Sequence, residues 1–371
     1  MAGRRAEERV ADVGRVLATR AAAGGLPRAE SLPACCRVNE FAAILSHLAT
    51  GSAYPAALAT LVRIEGSSYR RAGARLLLMA DGTSVGSLSG GCLEQDILAR
   101  CARVRDSRRS EFVSYDTREE NDLVWGVGLG CHGVVYLLIE PLSSRPDWVD
   151  PVRDAARSRR ELVLRVGTAG DGSEAAGTRI ATEGETAGGG LMDRIPPPFR
   201  LLVFGAGEDA RPLVRFGAEL GWEVSVLDPR PALPTPDRFP EAVGWHSGPV
   251  DALLRAYTAD PRTGAVIMTH HYVHDLPLLA GLRTQPLAYL GLLGPRARAE
   301  RLRRDVDAAG GAAPASGPMS AAPVLHAPVG LDLGGDGPAA VALAIVAEIQ
   351  CHLSGRDGRP LRQRREPIHP R

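Results

Sequence analysis

"RLLVFGAGEDA", residues 200 to 210, followed by "EVSVLD" at 223 to 228, decides how the second half of this chain is read. An apolar run ends in Gly205-x-Gly207-x-x-Ala210, a helical pattern follows, and a second apolar run closes on Asp228. Glycines let a backbone turn tightly and approach a phosphate, whose charge meets the positive end of the next helix, and a carboxylate about 20 residues on suits a ribose hydroxyl. The spacing predicts a nucleotide-type site at Gly205, Gly207 and Asp228; the alternative is a turn that only packs helix against strand. Glu208 sets a carboxylate where the anion would sit, which disfavours a freely exchanging NAD unless that side chain swings into water.

The alternation continues outward from this stretch. Strand patterns at 264 to 270 and 287 to 294 are interleaved with helical ones at 208 to 220, 249 to 257, 274 to 283 and 295 to 308, and "GPAAVALAIVAEIQ" forms a closing helix. Apolar strands alternating with amphipathic helices predict an α/β fold, a Rossmann-like doubly wound parallel sheet over 199–355, followed by an Arg-rich tail at 356–371. Upstream, "FAAILSHLATG" reads as a helix and 57 to 64, 74 to 80 and 83 to 88 as strands, the last two joined by the hairpin turn "DGT". A helix from Cys92 to about Val104 and strands "EFVSY" and 133 to 142 complete a mixed α/β N-terminal domain at 37–142. Residues 143–198 lose regular periodicity, hold short strand patterns at "ELVLRVG" and "TRIATEG", and end in "PPP", so they read as a linker or as the completion of the first domain. Residues 1–36 are an Arg/Ala/Gly-rich extension, disordered or forming one short amphipathic helix.

Composition excludes several function classes. With 44 basic and 43 acidic residues in 371, nothing points to nucleic acid or to an anionic membrane surface. Every basic side chain is arginine, so neither a Schiff-base lysine nor a phosphate loop ending in Gly-Lys-Ser/Thr is available. Six cysteines form no C-x-x-C pair, which argues against a zinc site or a disulfide framework. A charged N-terminus and the lack of a long apolar run lead to the expectation of a cytoplasmic protein.

Two cysteines stand in glycine-rich loops. "GSLSGGCLEQD" (86 to 96) sets Cys92 behind Ser89, Gly90 and Gly91 at a helix start, and "GVGLGCHG" (126 to 133) sets Cys131 behind Gly130. Such loops aim amides at an anion and ease ionisation of a thiol among them; the plainer alternative is two tight turns with buried thiols. "THHYVHD" offers His270, His271, His274 and Asp275 as metal ligands, as the polar rim of a crevice or as structural groups, with His270 at a strand end where parallel sheets display ligand-facing side chains.

Seven blocks, "EGSSYRRAGARLLL", "GSLSGGCLEQDI", "GLGCHG…LIEPL", "FGAGEDARPLVRFGAELGWEVSVLDPRP", "MTHHYVHDLPLL", "YLGLLGPRARAERL" and "APVGLDLGGDGPAAVALAIVAEI", together resemble the XdhC/CoxI family of maturation factors for xanthine dehydrogenase and carbon monoxide dehydrogenase. The resemblance spans about residues 40 to 355, in order. It implies a cytoplasmic, commonly homodimeric chaperone, an accessory factor rather than an enzyme. Such a chaperone binds molybdenum cofactor, as molybdopterin or its nucleotide form, while a cysteine desulfurase supplies the terminal sulfur, then passes it to a molybdenum hydroxylase apoenzyme. It places Cys92 and Cys131 on the family's Gly-Cys blocks, facing the molybdenum end, and Gly205, Gly207 and Asp228 on its nucleotide-type site. Glu208 departs from the histidine expected in many relatives. Two other readings stay open: an NAD-dependent oxidoreductase with His270 or His274 as acid/base, and a sulfurtransferase relay through a Cys92 persulfide.

Overall fold

A computed structural model describes residues 40–91, 93–116, 133–168, 176–186, 188, 190–308 and 323–364. The N-terminal part is built on helix α1 (Glu40–Ala49), strands β1 (Ala56–Gly66), β2 (Arg75–Leu78) and β3 (Ser84–Gly86), helix α2 (Glu94–Ser107), and strands β4 (Glu111–Asp116) and β5 (Gly133–Leu142). The five strands pair antiparallel in the order β3-β2-β1-β5-β4. Strand β1 is buried at every position from Ala56 to Val62 because both faces of the sheet are covered. Ala57, Ala59 and Leu61 meet Ile97, Cys101 and Val104 of α2, while Ala56 and Leu58 meet Ile44, Leu45 and Leu48 of α1. The "DGT" turn between β2 and β3 has Gly82 at φ +84° and Asp81 accepting from the Thr83 amide at 2.9 Å.

The stretch from 143 to 198 carries more structure than its composition suggests. A helix α3 (Val149–Arg157) leads into a three-stranded antiparallel sheet, order β7-β6-β8, made of β6 (Leu162–Gly167), β7 (Gly177–Ile180) and β8 (Leu191–Ile195). Trp148, Val149, Val152 and Leu164 join the core formed by α1.

The third sheet is parallel. Its elements are β9 (Arg200–Phe204), α4 (Ala210–Glu219), β10 (Glu223–Asp228), β11 (Gly244–Ser247), α5 (Val250–Arg255), β12 (Thr263–Ile267), α6 (Tyr272–Leu282), β13 (Tyr289–Leu292), α7 (Arg296–Ala308), β14 (Leu325–His326) and α8 (Pro338–Leu353). The strand order is β11-β10-β9-β12-β13-β14. Alternate strand residues point to opposite faces: Leu201 and Val203 pack with α4 and α8, while Leu202 and Phe204 pack with α5, α6 and α7. Helices on both faces make the sheet doubly wound, and the order reverses between β9 and β12, where such sheets open a crevice beyond their carboxyl ends.

Candidate functional site

The Gly205 turn opens at that reversal. Gly205 has φ +128°, and a Cβ there would lie 2.4 Å from the Met268 carbonyl oxygen and 2.8 Å from the Thr269 nitrogen. The loop leaving β9 therefore runs directly against the chain leaving β12, an approach that only glycine allows. The Gly205 amide donates to the Leu227 carbonyl at 2.8 Å, and the Ala206 amide to Asp228 Oδ2 at 2.7 Å. A Cβ on Gly207, by contrast, would meet open space. The amides of Gly207, Glu208 and Asp209 have no hydrogen-bond partner among the described residues. Three adjoining N–H groups at the start of α4 suit an anion, with the helix dipole adding to their pull.

Asp228 does something other than wait for a ribose. It is fully buried and accepts from the Arg230 amide (2.8 Å), Arg230 Nε (2.9 Å) and Arg230 Nη2 (2.8 Å) as well as from Ala206. Burial opposes its ionisation, but the bonds from Arg230 and Ala206 outweigh that and hold its carboxyl below the usual range. The carboxylate thus pins the glycine turn from beneath and anchors Arg230. Glu208 does swing outward: it pairs with Arg211 Nη1 at 3.1 Å and with Arg238 Nη2 at 2.9 Å. Arg238 also donates to the Ala206 carbonyl, so arginine surrounds the turn where the sequence placed a carboxylate.

His270, just past β12, adopts φ +60° and sets its Nε2 3.2 Å from Asp209 Oδ2, on the rim of the same crevice. His271 and His274 lie edge to face at 5.8 Å between ring centroids. Asp275 is buried against Thr269 Oγ1 (2.5 Å) and an Arg298 guanidinium, and burial pushes its carboxyl up despite both. No group of three or more metal-binding side chains occurs among the described residues.

Gly205, Gly207, Asp228 and His270 are therefore brought together. Ser89, Gly90 and Gly91 lie on the other sheet, in the loop between β3 and α2, and no hydrogen bond or ion pair joins this loop to the Gly205 turn among the described residues. Ser89 Oγ donates to Glu94 and accepts from the amides of Gly91 (3.2 Å) and Leu93 (3.1 Å), while the Ser89 amide donates to Glu94 Oε1 at 3.0 Å. Ser89 is consumed in bracing the loop; Gly90 and Gly91 are exposed, with open space where a Cβ would stand. Cys92, Gly130 and Cys131 lie outside the described residues. Cys101 is a core residue whose thiol burial pushes up to about 12, so it carries no thiolate at neutral pH.

Sequence reasoning missed Arg230, Arg238 and Arg298. Arg230 stands two residues after Asp228 and could have been found there; the other two act across gaps of 30 and 23 residues, with no local signal.

Residues 201–349 match the family model described as the XdhC Rossmann domain, and residues 50–116 match that of the XdhC and CoxI family. The chain is 34% identical over 316 residues to a Bacillus subtilis protein named as a probable xanthine dehydrogenase subunit, covering 79% of this chain and 92% of that one. It is 24% identical over 239 residues to the Escherichia coli molybdenum cofactor insertion chaperone PaoD, covering 64% of this chain and 67% of the relative. A crystal structure described as a xanthine dehydrogenase from Bacillus halodurans superposes with a TM-score of 0.70 at 30% identity, covering 86% of this chain and 98% of that one.

Proposed function

The chain belongs to the XdhC and CoxI family, and from that premise we propose that it is a maturation factor that carries molybdenum cofactor to a molybdenum hydroxylase apoenzyme of the xanthine dehydrogenase or carbon monoxide dehydrogenase type. It holds this cargo, as molybdopterin or its nucleotide form, while a cysteine desulfurase supplies the terminal sulfur. It works in the cytoplasm as a homodimer, its N-terminal 37–142 domain contributing the Cys92 and Cys131 loops and its C-terminal 199–355 domain the Gly205 turn. One relative, PaoD, is named as an insertion chaperone for this cofactor.

The observation that carries the ligand assignment is the Gly205 turn, where three successive amides have no hydrogen-bond partner among the described residues and a Cβ on Gly207 would meet open space. The cargo is an anionic pterin with a phosphate and a dithiolene. Amides at a helix start fit its phosphate, and the exposed Gly90 and Gly91 permit close approach of its body. Cys92 and Cys131 serve its molybdenum end, where a soft thiolate is the fitting ligand, with Gly130 framing the second thiol. Arg211 and Arg238 hold the Glu208 carboxylate and Arg230 the Asp228 carboxylate, and His270 closes the rim beside Asp209.

A nucleotide in the same turn is the second reading, favoured by the strand order. NAD fits it less well, because the carboxylate that should take the ribose is buried and already accepts four hydrogen bonds. A persulfide relay through Cys92 is compatible with the carrier role.

Purification from molybdate-replete cells, with assay of bound molybdenum and of oxidised pterin fluorescence, tests the proposal. The wild type is expected to retain both. Cys92→Ala and Cys131→Ala should lower molybdenum, and Gly207→Asp should lower pterin by placing a charge on the phosphate position. A protein that is empty, binds NAD tightly and transfers hydride overturns it.

A further inference from the structure

A cavity of about 1400 Å³ lies between α1, the segment 69–75 ahead of β2, and the end of α8 with the residues that follow it. Gly205, Asp228 and the Ser89 loop do not line it. We infer that this cavity is a second binding site, for a small organic phosphate, independent of the Gly205 turn and of the cofactor assignment made there.

Charge is the first argument. Arg70, Arg71, Arg75, Arg356, Arg359 and Arg364 line the cavity; Glu40 pairs with Arg70, Asp357 with Arg359 and Asp193 with Arg75, so the arginines outnumber these carboxylates by three. The six come from two stretches almost 300 residues apart in the chain, "RRAGAR" and "RDGRPLRQR", which the fold gathers on one space. An excess of one sign in a concave, low-dielectric wall focuses its field on the space within. Several guanidinium forks suit a compact, multiply charged oxyanion better than a single carboxylate.

Arg75 supplies the second argument. Its side chain is only 2% exposed, with Nη1 2.7 Å from Asp193 Oδ2 and 2.9 Å from the Gly73 carbonyl oxygen. Its Nε and Nη2 are buried with no hydrogen-bond partner among the described residues, and its guanidinium lies 4.4 Å from the centroid of the Phe41 ring. Buried guanidinium nitrogens are ordinarily bonded, because desolvating the charge is costly. Counter-charge in the adjoining cavity offsets part of that cost.

The remaining wall says what kind of anion. Leu331 and Leu333 contribute apolar surface, Leu333 with half of its area exposed. The space is also larger than the usual small-ligand pocket, which runs to roughly 1,000 Å³. A bare phosphate would leave both features unused; a phosphorylated molecule with an uncharged body uses both.

The test is calorimetric titration of the full chain with inorganic pyrophosphate and with ADP, at constant ionic strength. Three proteins are compared: wild type, the double variant Arg71→Ala plus Arg356→Ala, and Gly207→Asp, with circular dichroism and sedimentation run on each. Both probes are expected to bind the wild type, ADP the more tightly, and the double variant should weaken both at least tenfold while staying folded. Gly207→Asp, which disables the turn instead, should leave the arginine-dependent component of this binding unchanged and remove only what the turn itself binds. Leu333→Asp should weaken ADP and spare pyrophosphate. No binding to the wild type, binding lost in Gly207→Asp but retained in the double variant, or equal affinity for the two probes overturns the inference. So does a change of oligomeric state in the double variant without a change in affinity, which would make the arginines part of an interface between copies. Loss of bound pterin in Gly207→Asp with the cavity titration intact would bear on the cofactor assignment alone.

Discussion

At the scale of single residues, two glycines of one turn have opposite duties. Gly205 has φ +128° and no room for a Cβ, so Gly205→Ala forces backbone against backbone at Met268 and should cost at least about 2 kcal/mol. Gly207 has nothing within 4 Å of a built Cβ, so Gly207→Ala should change stability by less than about 0.5 kcal/mol. Urea titration separates them, and equal losses would mean that the turn is not packed as described. Asp228 is the structural partner of Gly205. Replacing it by Asn leaves Arg230 without its counter-charge, a loss of about 2 kcal/mol given that Arg230 is partly exposed. Its folded pKa lies below the unfolded value, so its contribution is present above about pH 4 and is lost as pH falls through the folded value. The stability gap between wild type and Asp228→Asn should therefore be full at neutral pH and close in acid. A gap constant down to pH 2 would show that charge is not what Asp228 supplies.

Among elements, the loop into α2 turns on one side-chain pair. Ser89 and Glu94 share four hydrogen bonds with each other and with the amides of Gly91 and Leu93. Glu94 is held below the usual carboxylate range, the bonds from Ser89 and Ser87 outweighing its burial. Ser89→Ala should cost about 1–2 kcal/mol and raise amide exchange in the first turn of α2, read by hydrogen exchange at Ile97. Unchanged exchange there would mean that the helix start is braced from elsewhere. The loop was legible in the sequence as glycines before a helix, whereas the bracing was not, because Ser89 and Glu94 stand five residues apart rather than at the capping-box spacing of three. Strands β9, β10, β12 and β13 were legible because buried parallel strands are continuous apolar runs bounded by turns. Strand β11, "GWHS", was missed because its edge position leaves it half-buried with no apolar run. Strand β8, "LMDRI", carries two charges, one of which, Asp193, is fixed by Arg75 from another sheet. Helix α3 was hidden by Pro151 and by a polar composition, although Val149, Val152 and Ala155 do form one buried stripe. In each case a partner distant in sequence supplies what the local pattern lacks.

On the scale of the whole molecule, one side chain ties α3 to the parallel sheet. Arg159, at φ +56° two residues past the end of α3, donates from Nε to Asp260 Oδ2 at 2.8 Å and from Nη2 to Asp260 Oδ1 at 3.2 Å. Its Nη1 donates to the Pro198 carbonyl at 2.6 Å and lies 3.4 Å from Glu223 Oε2. The residues it grips are the proline before β9, the first residue of β10 and the loop entering β12, so one guanidinium holds the starts of three strands. The side chain is 14% exposed, and removing one partner of such a buried network typically costs about 3–5 kcal/mol, less where solvent still reaches it. We expect Arg159→Met to lose about 2–3 kcal/mol and, more tellingly, to uncouple the two sheets. Calorimetry is expected to show one transition for the wild type and two for the variant, the lower belonging to the half that depended on the tie. Arg159→Lys should behave almost as badly, because an ammonium cannot span a bidentate carboxylate and a carbonyl together. A variant that keeps one transition at the wild-type midpoint would show that other contacts, among them Arg262 Nε donating to the Pro197 carbonyl at 2.7 Å, suffice to join the halves. In that event a ligand bound at one loop does not report to the other through Arg159.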